Sequence, residues 1–463
     1  MMAMERLTAE DRVMLWPDKV WPQEIGALAV LDGGCLLGPD GRFRIEAVRQ
    51  AIATRLHLVP RFRQLLYQPP RGLGGPMWVD APAFDLTDHV QVVPLPAPAD
   101  EAALLAAAER LRRGRLDRSR PLWQMWFLPG LPGDRVALFV KLHHVIADGI
   151  AGVATIGTFL DTAPGAAPAP GRAWAPAPAP GARDLLADNL QRHAGELRRA
   201  CSALTRPAAT ARQAHAAWRA MRELSTAEPA PATSLNRVVG PDRSLALIRS
   251  SLDQVKQIAH AQHATVNDVL LAVTAGGVRG LLRARGEPVG DLTVRIDVPV
   301  TLRPAQDRDQ ARGNLIGQFV VALPIGVSEP QQRLAQITAQ TAAGKAERHP
   351  SVGTALRSRA GRRALLKMMN RQPVNVTSAD VPGPQLPVYL AGARLLEVFP
   401  VLPLTANVSL GVGAMSYAGQ FNIMAIADKD AYPDFGVFAA SANDELEELA
   451  ASTTVSPAHQ RDR

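Results

Sequence analysis

The feature that most constrains how this chain folds is a stretch dominated by alanine and proline at residues 163–182. Such a stretch lacks the large apolar side chains that fill a core, and its prolines favour an extended, semi-rigid backbone. With 463 residues, the chain is long enough to bury a sizeable core. The sequence therefore predicts two folded units that are joined by a linker.

Before the linker, segments typical of strands and of helices alternate. Residues 129–134 place several turn-forming residues between two apolar runs, which predicts a β-hairpin. Apolar residues three or four positions apart predict helices. We predict strands at 25–31, 125–128 and 136–142 and helices at 45–58 and 102–111.

The same alternation returns after the linker. Residues 184–224 predict long helical structure, basic in its second half and interrupted at Pro207. Farther on we predict helices at 252–261 and 266–283 and strands at 292–299, 319–324, 404–412 and 421–427. The predicted fold class is α/β, with an N-terminal unit at 1–162, a linker and basic crossover at 163–234, and a C-terminal unit at 235–455.

Composition excludes several classes of protein. Cys35 and Cys201 are the only cysteines, so a disulfide framework and a cysteine-rich metal module are excluded, and a reducing compartment is expected. The formal net charge of +8 favours anionic ligands or acidic membrane surfaces over dedicated nucleic-acid binding. We expect no secretory signal and no membrane-spanning helix. The basic, amphipathic residues 357–371 predict either a membrane-surface contact or a solvated helix face.

The strongest chemical signal is a His-His-x-x-x-Asp-Gly motif at residues 143–149, where a predicted strand gives way to a helix. Strand side chains alternate between two faces, so His143 and His144 point in opposite directions. His144 ends an apolar row and His143 does not. That apolar row consists of Val136, Leu138, Val140 and Leu142.

A neutral imidazole at the end of an apolar row is suited to general-base catalysis. Its ordinary pKa is ~6.5 and burial lowers it, so His144 could accept a proton from an alcohol, thiol or amine. Asp148 is placed either to cap the following helix or to pair with an arginine, and Gly149 permits a tight turn and a close backbone approach. The plainer alternative is a strand end with one buried histidine. A zinc site is disfavoured because the two imidazoles diverge and no cysteine stands nearby.

The motif and several blocks in the same order resemble the bacterial wax ester synthase / diacylglycerol acyltransferase family, within the CoA-dependent acyltransferase superfamily. The resemblance spans nearly the whole chain except the linker and the last residues. One departure is Asp380, where family members usually carry Asn before Val-Pro-Gly-Pro. Besides the motif, the matching blocks lie at 7–11, 25–30, 59–63, 120–123, 234–236, 266–268, 298–303, 313–314, 381–384 and 416–419.

The resemblance implies two chloramphenicol-acetyltransferase-like α/β units that form a pseudo-dimer with a central tunnel. It implies transfer of a long acyl chain from acyl-CoA to diacylglycerol or to a fatty alcohol, without an acyl-enzyme. Acyl-CoA is then a substrate, and neither a cofactor nor a metal is expected. The implied location is cytoplasmic, with peripheral contact to the inner membrane face or to lipid droplets.

The resemblance also assigns roles to residues. It implies that His144 is the general base, with His143, Asp148 and Gly149 completing the motif. Asn267 is implied to orient groups or to stabilise the oxyanion. The implied substrate-binding residues are Trp123, Asp268, Arg303 and Asn314, of which Arg303 is also the expected partner of Asp148.

Plainer alternatives exist for three of these residues and for the activity itself. Asp268, with Asn267, could cap a helix, and Trp123 could fill the core. The activity could instead be carrier-protein-dependent condensation, or the chain could be an acyl-binding relative without turnover. If His144 is the base, replacing His143 should reduce ester formation less than replacing His144.

Overall fold

The computed structural model describes residues 4–165, 174–204, 215, 230–301, 316–346 and 373–454. Within these residues the chain forms two six-stranded mixed sheets, a two-stranded sheet and nine α-helices. The predicted α/β class with two units is therefore confirmed. The predicted central tunnel stays a prediction.

Strands and helices alternate along the chain. The strands are β1 (Glu24–Asp32), β2 (Gln64–Tyr67), β3 (Met77–Asp80), β4 (Val90–Val92), β5 (Trp123–Leu131), β6 (Arg135–His143), β7 (Arg243–Ser251), β8 (Thr293–Thr301), β9 (Ile316–Pro324), β10 (Val376–Pro382), β11 (Tyr389–Leu390), β12 (Ala393–Val401), β13 (Leu410–Tyr417) and β14 (Gln420–Asp428). The helices are α1 (Ala9–Leu15), α2 (Ile45–Ala53), α3 (Glu101–Arg113), α4 (Gly149–Gly157), α5 (Ala182–Leu204), α6 (Leu252–Ala261), α7 (Val266–Ala284), α8 (Pro330–Ala346) and α9 (Phe435–Thr454).

Each unit is built on one six-stranded sheet. The first sheet has the order β11-β12-β1-β6-β5-β4, and its neighbours are antiparallel except for β4 and β5. The second has the order β7-β14-β13-β10-β8-β9, in which β10 runs parallel to both β13 and β8. The predicted hairpin at 129–134 is the connection between β5 and β6.

The second half of the chain contributes two strands, β11 and β12, to the first sheet. β12 comes from the second half of the chain but pairs with β1 of the first sheet, from Gly26 opposite Val401 to Leu31 opposite Leu395. A division of the chain at residue 235 therefore does not divide the sheets, because residues 389–401 complete the first one. The pairing of β12 with β1 joins the two units through backbone hydrogen bonds.

The buried side chains form one core in each unit and a third between the units. The third core joins the first sheet to the second. From the first sheet it contains Leu28, Phe139 and Phe399 of β12, and from the second it contains Met424 and Ile426 of β14. Since β6 also faces the core of the first unit with its other side, it is buried on both faces. The histidine motif thus follows a strand at the centre of the molecule.

Most predicted elements match observed ones within a few residues, and two need correction. The strand predicted at 404–412 begins only at Leu410, because Leu404, Ala406 and Val408 are buried in an irregular segment. The helix predicted at 45–58 ends at Ala53 and is followed by 3₁₀ turns before Pro60, whose ring does not continue an α-helix.

The crossover contains a long helix. α5 begins beside the first unit, where Leu185 is buried with Met77 and Val79, and Asp188 pairs with Arg6 at 2.6 Å. The basic residues 357–371 and most of 205–229 lie outside the described residues. In the described part of the chain, no helix combines the length and the apolar character needed to cross a membrane.

Candidate active site

β6 brings both histidines to the site and separates them. Its alternating side chains enter different cores, as predicted: Val140 and Leu142 pack in the first unit, and Phe139 packs between the sheets. The strand ends at His143, so His144 is the first residue of the turn that follows. His144 is partly buried, and its backbone N–H donates to the carbonyl of Gln23 at 2.8 Å.

His143 lies on the opposite face and is nearly fully buried, with 2% of its surface exposed. Its Nδ1 accepts the backbone N–H of Val145 at 3.0 Å. Its Nε2 lies 3.2 Å from Oδ1 of Asp18, at an angle outside that of a linear hydrogen bond. Because Nδ1 accepts a hydrogen bond, the ring proton is on Nε2, where it faces the carboxylate.

Asp18 is a buried carboxylate that the sequence did not reveal, since no motif or periodicity marks it. It lies in a 3₁₀ turn, accepts the backbone N–H of Gln23 at 2.8 Å and pairs with Arg118. Burial acts to raise the pKa of Asp18, but the contacts with His143, the Gln23 amide and Arg118 outweigh it and hold the pKa well below its usual range. Asp18 is therefore a carboxylate at neutral pH.

A second buried pair of charged residues, Lys141 and Glu24, lies two residues before His143 along β6. Lys141, on the same face of β6 as His143, is 3.4 Å from the Glu24 carboxylate and donates to the carbonyls of Leu111 and Gly114 at the end of α3. Burial lowers the pKa of the Lys141 ammonium, and the Glu24 carboxylate acts in the opposite direction. These contacts fix the end of β6 against α3.

Asp148 and Gly149 start α4 and set the approach of the second unit. Asp148 is 1% exposed and caps the helix, because its Oδ1 accepts the N–H of Ala151 at 2.9 Å. This is the helix cap that the sequence allowed. At Gly149 an added Cβ would lie 3.2 Å from Cγ2 of Val381 in β10, so the glycine permits close contact between the units.

The motif consequently lies where the two units meet. Val381, Met415 and Tyr417 of the second unit belong to the same buried cluster as Ala151 of α4. The neighbouring Asp380 is a carboxyl whose pKa is raised to about 6 by burial. A seam of this kind, with apolar walls and a few polar groups, is a common setting for small-molecule binding.

The structure places the remaining predicted residues unequally. Asn267 is the second residue of α7 and is partly buried. Asp268 closes a capping box: its carboxylate accepts the N–H of Thr265 at 2.8 Å and the hydroxyl of Thr341 at 2.7 Å. The alternative of helix capping therefore describes Asp268, although the N-cap itself is Thr265.

Trp123 is fully buried in the first unit. Its indole N–H donates to the carbonyl of Phe62 at 2.9 Å, and its ring stacks on Phe62 and His89. This geometry fits packing, the alternative that the sequence allowed for Trp123. Arg303 and Asn314, and with them the expected pairing of Asp148 with Arg303, lie outside the described residues.

Two family models match the chain and together cover most of it. The wax ester synthase/diacylglycerol acyltransferase catalytic domain matches residues 7–270. The C-terminal domain of the same family matches residues 312–450. The two matches follow one another along the chain in the order expected from the resemblance.

Curated relatives and solved structures agree with these matches. A probable diacylglycerol O-acyltransferase of Mycobacterium tuberculosis is 30% identical over 92% of this chain and 91% of its own length. A second M. tuberculosis protein with the same enzyme class in its name is 32% identical over 92% of each chain. Among solved structures, the wax ester synthase/diacylglycerol acyltransferase of Marinobacter aquaeolei VT8 is 23% identical, covers 97% of this chain and 100% of its own, and has a TM-score of 0.69.

The fold is shared more widely than the family. The starter condensation domain of rhizomide synthetase is 15% identical, covers 97% of this chain and 94% of its own, and has a TM-score of 0.60. That likeness concerns the two-unit fold alone. The family matches and the curated relatives together show that the chain belongs to the wax ester synthase/diacylglycerol acyltransferase family and is an acyltransferase.

Proposed function

We propose that this acyltransferase moves a long-chain acyl group from acyl-CoA to the hydroxyl of diacylglycerol or of a fatty alcohol, with His144 as the general base. The observation that carries the proposal is the placement of His144. His144 directly follows β6, a strand that is buried on both faces, where the two units meet. Its backbone N–H donates to the carbonyl of Gln23. The names of the curated relatives support a diacylglycerol acceptor.

The proposed reaction is a direct transfer. The acceptor O–H gives its proton to His144 while its oxygen attacks the thioester carbonyl, forming a C–O bond. The tetrahedral intermediate then breaks its C–S bond, and the imidazolium returns the proton to the departing CoA thiolate. The products are one ester and one free CoA, and the imidazole is regenerated.

Asn267 is the proposed donor to the oxyanion. Its position in the first turn of α7 supports this role, because the backbone N–H groups there point out of the helix and favour negative charge. One such donor contributes ~3 kcal/mol to the transition state. We propose that Arg303 and Asn314 bind substrate, as the resemblance implies, whereas the contacts of Trp123 and Asp268 support structural roles.

We also propose that the enzyme works on the surface of a membrane or lipid droplet. Its proposed acceptors are lipids, and α5 supports the proposal with three exposed leucines. Leu186, Leu190 and Leu197 are 47%, 61% and 67% exposed and lie on one side of the helix, since they are four and seven residues apart. Co-sedimentation with phospholipid vesicles, compared with a variant carrying serine at these three positions, tests this contact.

Product analysis of the purified protein tests the reaction. Labelled palmitoyl-CoA is supplied with hexadecanol in one arm and with a diacylglycerol in the other, and ester and free CoA are quantified. We expect equal amounts of ester and CoA. The His144→Ala variant should lose about 10²- to 10⁴-fold in rate and keep its circular dichroism spectrum. His260→Ala, at an exposed position of α6, is the matched control.

Three outcomes would contradict the proposal. An active His144→Ala variant would exclude the general-base role. Transfer from a carrier-bound thioester alone would favour the condensation-type alternative. Acyl-CoA binding without any turnover would favour the acyl-binding alternative.

A further inference from the structure

We infer that Asp18, far from the histidine motif in sequence, is a positioning residue that fixes the His144 imidazole for proton transfer. The inference rests on the proposed role of His144 as the base. Asp18 reaches the backbone on both sides of His144, through Gln23 on one side and through His143 on the other.

The first route passes through a single residue, Gln23. Oδ1 of Asp18 accepts the N–H of Gln23 at 2.8 Å, and the carbonyl of Gln23 accepts the N–H of His144 at 2.8 Å. Gln23 is itself buried, and its side-chain amide donates to the carbonyl of Trp21 at 2.9 Å. The carboxylate therefore restrains the residue whose carbonyl accepts the N–H of His144.

The second route passes through the neighbouring imidazole. Nε2–H of His143 faces Oδ1 of Asp18 at 3.2 Å, and Nδ1 of the same ring accepts the N–H of Val145 at 3.0 Å. The amides of residues 144 and 145 are thus both held by groups that converge on one carboxylate oxygen. The His144 backbone is fixed on both of its sides.

Asp18 is itself firmly held. It is 4% exposed, its other oxygen pairs with Arg118, and its backbone carbonyl accepts the guanidinium of Arg115 at 2.9 Å. These arginines belong to the loop between α3 and β5. A general base has to lie within hydrogen-bond reach of its proton, and a displacement of 1 Å can cost about 10²-fold in rate. A rigid carboxylate behind His144 meets this requirement.

Steady-state kinetics of three Asp18 variants test the inference. Asp18→Ala should lower kcat about 10- to 100-fold and leave KM for palmitoyl-CoA within about threefold, because positioning affects the reacting groups and not the binding of the acyl donor. Asp18→Asn should recover most of kcat, since its amide oxygen can still accept the N–H of Gln23 and face Nε2–H of His143. Asp18→Glu keeps the charge but moves the carboxylate by one methylene, and should be slower than Asp18→Asn.

Asp428 provides a matched control. It is also a buried aspartate, and it accepts two backbone amides, from Gly240 at 2.7 Å and Ala431 at 3.0 Å, beside Arg243 at 3.4 Å. Asp428→Ala should lower thermal stability to a similar extent as Asp18→Ala and leave kcat per folded molecule unchanged. The comparison separates positioning from general loss of stability.

A spectroscopic measurement checks the geometry without activity. With ¹⁵N-histidine labelling, long-range ¹H–¹⁵N spectra should show His143 as the Nε2–H tautomer, assigned by its absence in His143→Ala. In Asp18→Ala the same ring should show averaged nitrogen shifts, and in Asp18→Asn the wild-type pattern should return.

The outcomes separate the inference from the proposed function. A wild-type kcat in Asp18→Ala, beside an inactive His144→Ala, would overturn the inference and leave the function intact. If Asp18→Ala does not fold, Asp18→Glu as fast as Asp18→Asn would overturn it, because the placement of the acceptor oxygen would then not matter. Equal losses of kcat in the Asp18 and Asp428 variants would also overturn it.

Discussion

At the scale of the residue, the chemistry depends on which way two adjacent imidazoles point. The structure turns His143 toward Asp18, and strand alternation predicts that His144 points the other way. The sequence predicted this divergence from the period of β6 alone. It did not predict Asp18, because that carboxylate comes from a short 3₁₀ turn more than a hundred residues earlier.

The two histidines should differ in their contribution to rate. His144→Ala removes the base and should cost about 10²- to 10⁴-fold. His143→Ala removes a positioning contact and should cost less, about 10- to 100-fold, with the acceptor proton still taken by His144. Initial rates of CoA release at saturating substrate measure both. Similar losses from the two changes would show that the assignment of the faces is wrong.

Asp380 should make stability depend on pH. Its pKa is raised to about 6 by burial, so the folded protein binds a proton more tightly than the unfolded chain does, and stability falls as pH rises from about 4 to 6. Asp380→Asn installs the residue usual in the family and removes this penalty. The stability gained by the variant should grow by about 1 kcal/mol between pH 5 and pH 8.

Denaturant unfolding of the Asp380→Asn variant and the wild type at both pH values measures this difference. A gain that shrinks toward pH 8 would contradict the prediction. It would show that the Asp380 carboxylate is stabilised by a positive charge in the folded protein.

At the scale of the element, most helices and strands were predictable because their apolar residues repeat with the right period. The helix predicted at 252–261 is observed with the same bounds, as α6. β12 was not predicted. It contains Pro400, which has no backbone N–H to donate to a neighbouring strand. Near Pro400 only β1 pairs with β12, so this part of β12 is an edge strand, and edge strands tolerate proline.

The capping box of α7 should matter for activity as well as for stability. Thr265→Ala removes the acceptor for the Asp268 N–H and should lower the free energy of unfolding by about 1 kcal/mol. It should also lower kcat, because Asn267 lies in the turn that then frays. Ser251→Ala, which removes the N-cap of α6, is the control and should lower stability alone. Denaturant unfolding and kcat are measured for both.

At the scale of the whole molecule, the first unit depends on the second half of the chain for two strands of its sheet. Without the second half, β1 loses its partner β12, and Leu28 and Val30 lose part of the core between the sheets. A fragment of residues 1–234 should therefore be insoluble or unfolded when expressed alone, and co-expression with residues 235–463 should recover folded protein.

Unfolding of the full chain checks the same dependence. We expect one cooperative transition by calorimetry, since the first sheet is incomplete without the second half and the core between the sheets contains residues of both. Two separated transitions, or a well-folded fragment of 1–234, would show that the units are independent.

The sequence by itself determined the α/β class and the two-unit organisation, because local periodicity and turn-forming residues encode these features. It also predicts opposite directions for His143 and His144. Tertiary structure alone decided that β12 completes the first sheet, that Val381 lies against Gly149, and that Asp18 reaches the backbone around His144. Each of these contacts joins residues far apart in the chain. Their partners are chosen by packing and by the need to satisfy buried polar groups, which no local pattern records.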